Sequence, residues 1–233
     1  MNKTSTVYWA IYSSLDFQTR QNLAMKPIES LQKNLSSKIN SKNNQSSMMS
    51  CTSYHSYFSN TYLIKHPYTT KWDTNENNGN GLFKERTDES AFIDSRLVDY
   101  DLQWIFFSED DVELEMTPAF LHQKESDKYG HIPAGSFNIS KWFRPISLSW
   151  QLWENINEIQ FKENDPIAYL KFNTKNKIKL QQFEMSPQLM EVVNGCTGLK
   201  HLIPNLKLEE MYNRFTESKR NKLVLKEISK TLL

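Results

Sequence analysis

Ile146-Ser147-Leu148-Ser149-Trp150-Gln151-Leu152 places an apolar side chain at every second position and a polar one between. Extended, such a segment buries one face and wets the other, so it predicts a strand of an antiparallel sheet. The same period recurs on both sides. Downstream, Ile159-Gln160-Phe161 leads into the turn residues Lys162-Glu163-Asn164-Asp165-Pro166, and Ile167-Ala168-Tyr169-Leu170-Lys171-Phe172 follows as a strand. Asn173-Thr174-Lys175-Asn176 turns that strand into Ile178-Lys179-Leu180, and Phe183-Glu184-Met185 comes next. Upstream, Val112, Leu114 and Met116 alternate with Glu113 and Glu115, while Leu102-Gln103-Trp104-Ile105-Phe106-Phe107 is apolar on both faces, as in a central buried strand. Tyr62-Leu63-Ile64-Lys65 reads as a strand that stops at His66-Pro67, since proline pushes the residue before it out of helix geometry. Asn77-Asn78-Gly79-Asn80-Gly81 predicts a hairpin turn. Many short strands at this spacing predict a mainly β core within an α+β chain, an antiparallel β-sandwich or jelly-roll-like barrel.

Helical signals flank that core. Near the N-terminus, Val7 to Tyr12 is an apolar run of strand length. After Pro27, suited to the first turn of a helix, Ile28, Leu31, Leu35 and Ile39 recur at helical spacing. Residues 40–47 are polar and read as a loop, and residues 51–58 fit a short helix or a loop equally. Ser186-Pro187 opens a further helix with a capping hydroxyl and a proline at the first position, and Gly195 and Gly198 are expected to end it. A basic amphipathic helical region is expected over about 208–232, with Met211, Phe215, Leu223 and Leu225 as its apolar positions, though not on one unbroken stripe. The organisation expected is an N-terminal strand and helical segment packing on the core (1–60), the β-sandwich core (61–185) and a C-terminal helical extension (186–233).

Composition narrows the function classes. The chain has 233 residues, 38% hydrophobic and 24% charged, with 28 Lys and Arg against 27 Asp and Glu. A net charge of +1 argues against a globally basic nucleic-acid binder, so nucleic acid is not an expected partner. A mean hydropathy of −0.65, with no apolar run near the roughly 20 residues of a membrane span, predicts a soluble protein without a membrane partner. Val7 to Tyr12 is too short for a signal peptide's apolar region. Cys51 and Cys196 belong to no metal-type spacing and read as reduced thiols. Charge is uneven along the chain: residues 85–128 carry 4 basic and 13 acidic residues, a balance of −9, and residues 199–233 carry 8 and 4, a balance of +4.

Familiar catalytic signatures are missing. None of His55, His66, His122, His131 and His201 has an acid two residues later, which excludes the His-x-Asp or His-x-Glu element of jelly-roll oxygenases. HExxH, GxxxxGK[ST] and GxSxG are absent too. His122 and His131 bracket residues 123–130 and are placed to meet across a hairpin, although surface polarity explains them as well.

Three constellations remain. Asp99, Asp101, Glu113 and Glu115, in an acidic cluster with Glu109, Asp110 and Asp111, are candidate oxygen ligands for a divalent cation, against the alternative of a solvated strand face. No cofactor is otherwise expected. Trp142, Phe143 and Arg144 combine two aromatics with a guanidinium, a composition common at partner or ligand sites. The lysine-rich tail, Lys219, Arg220, Lys222, Lys226 and Lys230, suits phosphate binding or attachment to an acidic partner. The alternatives are an ordinary solvated helix, which the interleaved Glu209, Glu210, Glu217 and Glu227 favour, and a docking helix in an oligomer.

The segments 112–120, 132–139, 141–145, 163–167 and 183–185 together resemble a group of uncharacterised β-rich proteins encoded by tailed phages of marine bacteria. The resemblance covers roughly residues 100–190 and implies a viral origin, with the cytoplasm of the infected host cell or the virion as location. It carries no functional residue across. Residues 165–170 also resemble a strand of the trimeric dUTPase fold, but that family's Arg-Ser-Ser segment and Gly-rich tail are missing, and its activity is not expected. The function expected is assembly or interaction, with a second copy of the chain or another viral or host protein as partner. The alternative is an enzyme or ligand-binding protein that uses the open end of the sandwich, with a divalent metal at the acidic cluster.

Overall fold

A computed structural model describes residues 3–12, 28–40, 51–73, 83–85, 97–100, 104–122, 124–146, 148–203 and 205–233. Its strands are β1 (Thr4–Ile11), β2 (Glu29–Ser30), β3 (Thr61–Lys65), β4 (Thr70–Asp73), β5 (Phe83–Glu85), β6 (Leu97–Tyr100), β7 (Trp104–Ser108), β8 (Glu113–Pro118), β9 (Gly130–His131), β10 (Gly135–Asn138), β11 (Leu148–Leu152), β12 (Glu158–Phe161), β13 (Pro166–Asn173) and β14 (Lys177–Gln182). The helices among the described residues are α1 (Leu31–Asn40), α2 (Thr52–Phe58), α3 (Pro187–Leu202), α4 (Leu208–Glu217) and α5 (Arg220–Ile228). The chain is therefore a β-rich α+β fold, as its alternation predicts. The hairpin turn expected at 77–81 lies outside the described residues.

Among the described residues four sheets, ordered β14-β1-β7, β10-β8-β13-β3-β2, β5-β6-β11-β9 and β12-β4, contribute to one apolar core. Among the described pairings only β1 with β14 is parallel. In β11, Leu148, Trp150 and Leu152 are buried while Ser149 and Gln151 are half-buried, following the alternation that predicts the strand.

The three-stranded sheet divides two cores. Val7 and Trp9 of β1 and Trp104 and Phe106 of β7 join the β core, whereas Ala10, Ile105 and Phe107 face the C-terminal helices. β7 corrects one expectation: it lies at the end of its sheet, not in the middle, yet all five of its residues are buried. Layers on both faces cover it, and the segment 139–146 runs along its outer edge. There Ile105 bridges Pro145, the Ser108 N–H donates to Ile139 O at 3.4 Å, and the Ile146 N–H donates to Trp104 O at 2.7 Å.

Helices cover the outer sides. Leu31 of α1 and Phe58 of α2 pack on Leu63, Ala119 and Tyr169, on the face of the five-stranded sheet away from the main core. α1 begins at Leu31, directly after β2, and Pro27 lies outside the described residues. On the opposite side, α3 continues through Gly195 and Gly198 to Leu202 instead of ending at them. Its buried Leu189, Val192, Val193 and Cys196, spaced as one helical face, outweigh the weak helix preference of two glycines.

The helical region expected over about 208–232 is present as two helices. Lys219 adopts a left-handed conformation (φ 56°), which breaks the helix and resets its phase. Met211 and Phe215 of α4 are buried as expected, but in α5 Val224 and Ile228 turn inward while Leu223 is left 45% exposed and Leu225 partly buried. The chain end then lies along β14, with Phe183 bridging Leu232 and the Leu233 N–H donating to Gln182 O at 3.1 Å.

Candidate functional site

Trp142 and Phe143 are internal. Because the segment 139–146 follows the edge of β7, Ile139 and Ile146 fall into the β core and Trp142 and Phe143 into the helical one. Phe143 is fully buried, edge-on to Phe107 at 5.5 Å and stacked with Phe183 at 6.3 Å. Trp142 is 3% exposed and meets Tyr212 of α4 edge-on at 6.4 Å, and the Tyr212 hydroxyl accepts from the Asn138 N–H at 2.9 Å. The half-buried Arg144 sets its guanidinium 5.7 Å from the Trp142 ring, a cation–π contact. The surface that these three residues offer in the sequence is covered by the chain's own C-terminal layer. Burial pushes the nearby Cys196 thiol upward, opposed by the Arg220 charge. Cys51 and Cys196 are both free.

The acidic residues are dispersed. Asp99 sits on β6, where it accepts from the Ser149 hydroxyl at 3.0 Å. Glu113 and Glu115 share one face of β8 in a different sheet, opposite Asn138, Ser136, Lys171 and Asn173. Glu115 accepts from Asn173 Nδ2 at 3.2 Å. Asp101 lies outside the described residues. Asp110 and Asp111 are engaged individually: hydrogen bonds from Ser5 and then Lys3 hold the first below the usual carboxylate range, and Asn138 followed by Lys141 does the same for the second. No group of three His, Cys, Asp or Glu side chains among the described residues is placed to hold a metal ion.

One polar chain has no motif in the sequence. His122, 7% exposed, lies 2.6 Å through Nδ1 from the Tyr169 hydroxyl and 2.9 Å through Nε2 from Asn34 Oδ1. The Tyr169 oxygen accepts from the Leu121 N–H at 3.1 Å, and Asn34 Nδ2 donates to Glu29 at 3.0 Å, which also pairs with Lys65. Donors and acceptors run in one sense when the imidazole is neutral with its proton on Nε2. The chain stitches α1 and β2 to the five-stranded sheet. His131, by contrast, packs tilted against Trp153 at 4.8 Å, so the two histidines take different partners.

Among the described residues, six of the nine exposed large apolar or aromatic ones fall in the C-terminal layer: Leu202, Ile203, Leu208, Leu223, Leu232 and Leu233. Leu202 alone is 82% exposed. On α5, positions 222, 223 and 226 fall on the side opposite buried Val224 and Ile228, continued by Lys219 and Lys230 at the helix ends. Lys230 pairs with Glu227. Lys219, Lys222 and Lys226 form no ion pair with a described residue. The outward face of α5 is thus a leucine among lysines that no described carboxylate pairs, legible only once the helix break at Lys219 fixes the phase.

No family model matches the chain, and neither a curated protein nor a solved structure is significantly similar to it.

Proposed function

We propose that the protein acts by interaction, its β-rich body presenting the outward face of α5 to an acidic amphipathic segment of a partner protein. The observation that carries this reading is the exposed Leu223 surrounded by Lys219, Lys222 and Lys226, three lysines that form no ion pair with a described residue. Charge complementarity selects an acidic partner, and the leucine selects one with an apolar anchor, the composition of a helix laid on a docking face. A phosphate backbone pairs the lysines but not the leucine. An anionic bilayer is disfavoured by Glu209, Glu210 and Glu217, exposed on the adjacent α4. Given the sequence resemblance to tailed-phage proteins, the partner would be a viral or host protein.

The test uses the full chain at low and physiological salt with four probes: an acidic amphipathic helical peptide, polyglutamate, duplex DNA and phosphatidylserine vesicles. The amphipathic peptide is expected to bind best, more weakly as salt rises, with binding lost in Lys222→Glu and Leu223→Ala. Preference for DNA or vesicles, or peptide binding unaffected by both substitutions, overturns the assignment. So does self-association that occupies the same face, which sedimentation of the free protein would reveal.

A further inference from the structure

A cleft of about 400 Å³ lies between the start of α1, the first residues of β3 and the turn joining β13 to β14. That volume is within the range of small-molecule sites, about 300–1,000 Å³. Its polar lining includes Ser30, Gln32, Tyr62, Lys175, Asn176 and Lys177, and no carboxylate of a described residue contributes to it. Lys175 and Lys177 are exposed and form no ion pair with a described residue. Two lysines, a glutamine, a serine and Tyr62, whose hydroxyl donates to Ile178 O at 3.4 Å, therefore line one concavity.

Both walls are held in place by hydrogen bonds. Asn60, left-handed at φ 56°, donates Nδ2 to the carbonyls of Thr174 (3.3 Å) and Asn176 (2.8 Å) and accepts from the Ile178 N–H at 3.1 Å. Asn176 in turn donates to the Ser5 hydroxyl at 2.8 Å. The amides of Asn60 and Asn176 are spent on fixing the turn that carries the lysines. On the other wall, the chain from Tyr169 through His122, Asn34 and Glu29 to Lys65 pins β2 and α1, and with them Ser30 and Gln32. A preformed wall reduces the ordering cost of binding.

We propose that this cleft binds a small soluble phosphate-bearing molecule, its phosphate held by Lys175 and Lys177 and its remaining polar groups by Ser30, Gln32 and Tyr62. Two lysines without an ion-pair partner among the described residues match a phosphomonoester dianion, and the cleft has the size for an organic body attached to it. The site is separate from the α5 face and stands or falls independently of it.

The experiment is titration of the full chain with glucose 6-phosphate and adenosine monophosphate, with glucose, adenosine, inorganic phosphate and phosphatidic acid vesicles as controls, followed by calorimetry and amide chemical shifts. At least one phosphorylated compound is expected to bind, shifting resonances of residues 59–62 and 174–178, while its unphosphorylated parent does not. Lys175→Ala with Lys177→Ala should weaken binding about tenfold or more, as for lost charge-assisted hydrogen bonds, and leave the urea midpoint unchanged. Lys175→Arg with Lys177→Arg should retain it. Absence of binding by both phosphorylated compounds, binding that survives the double alanine variant, or equal binding of the parent compound overturns the proposal. Inorganic phosphate or vesicles binding as tightly as the soluble organic phosphates overturns it as well.

Discussion

Phe143→Ala separates an internal role for the Trp142–Arg144 segment from a docking one. The ring is fully buried between Phe107, Phe183 and the C-terminal helices, so its removal loses transfer energy and leaves a cavity. Truncations of this kind cost about 3–5 kcal/mol. Part of that is the two ring contacts, each contributing about 0.5–1.5 kcal/mol beyond area. For a chain of this length each kcal/mol lowers the melting temperature by about 2–4 °C, which gives a fall of roughly 6–20 °C. Urea unfolding followed by circular dichroism, with calorimetry on the same samples, measures both quantities. The m-value should stay unchanged, because the surface exposed on unfolding is nearly the same. Leu223→Ala is the counterpart: at 45% exposure on α5 it should alter stability by no more than about 0.5 kcal/mol while abolishing peptide binding. A loss below about 1 kcal/mol for Phe143→Ala would refute the reasoning, because a side chain sealed beneath three helices cannot be removed so cheaply.

Gly198→Ala should stabilise the protein by roughly 0.5–1 kcal/mol, since the position is inside α3 and an added Cβ meets nothing within 4 Å; a urea midpoint that falls contradicts it. Tyr169→Phe strips a partner from both the Leu121 N–H and His122, at about 1–3 kcal/mol for each buried group left unsatisfied, and a double-mutant cycle with Asn34→Ala should show coupling along the chain. Burial raises the pKa of Tyr62, Tyr169 and Tyr212, so these phenols stay protonated in the fold while the unfolded chain ionises near about pH 10. Their contribution is complete below that pH and is lost as pH rises beyond it, so urea midpoints should fall above about pH 10, less steeply in Tyr169→Phe.

Strand identity was legible in the sequence because it is local. Which side chains of residues 148–152 or 112–116 turn inward follows from the two-residue period alone, before any partner strand is known. The start of α3 was equally local: the Ser186 hydroxyl accepts from the Leu189 N–H at 3.2 Å, and Pro187 needs no hydrogen bond at the first position. The candidate sites were less legible, since each depends on what covers a residue. Aromatics beside an arginine look alike whether they anchor a partner or lie under the chain's own helix. Carboxylates close in sequence separate when β6 and β8 enter different sheets.

Tertiary structure alone decided three things. It set β1 between β14 and β7, a parallel partner more than 160 positions away on one side, because pairing joins edges irrespective of sequence distance. It broke the C-terminal helix at Lys219, turning Val224 inward and Leu223 outward, since a single left-handed residue rotates every position after it. And it gathered Glu29, Asn34, Lys65, His122 and Tyr169, which no motif links, into one hydrogen-bonded chain beside a cleft. The periodicity of a sequence specifies which faces are dry, whereas the identity of what dries them is a property of the whole packed chain.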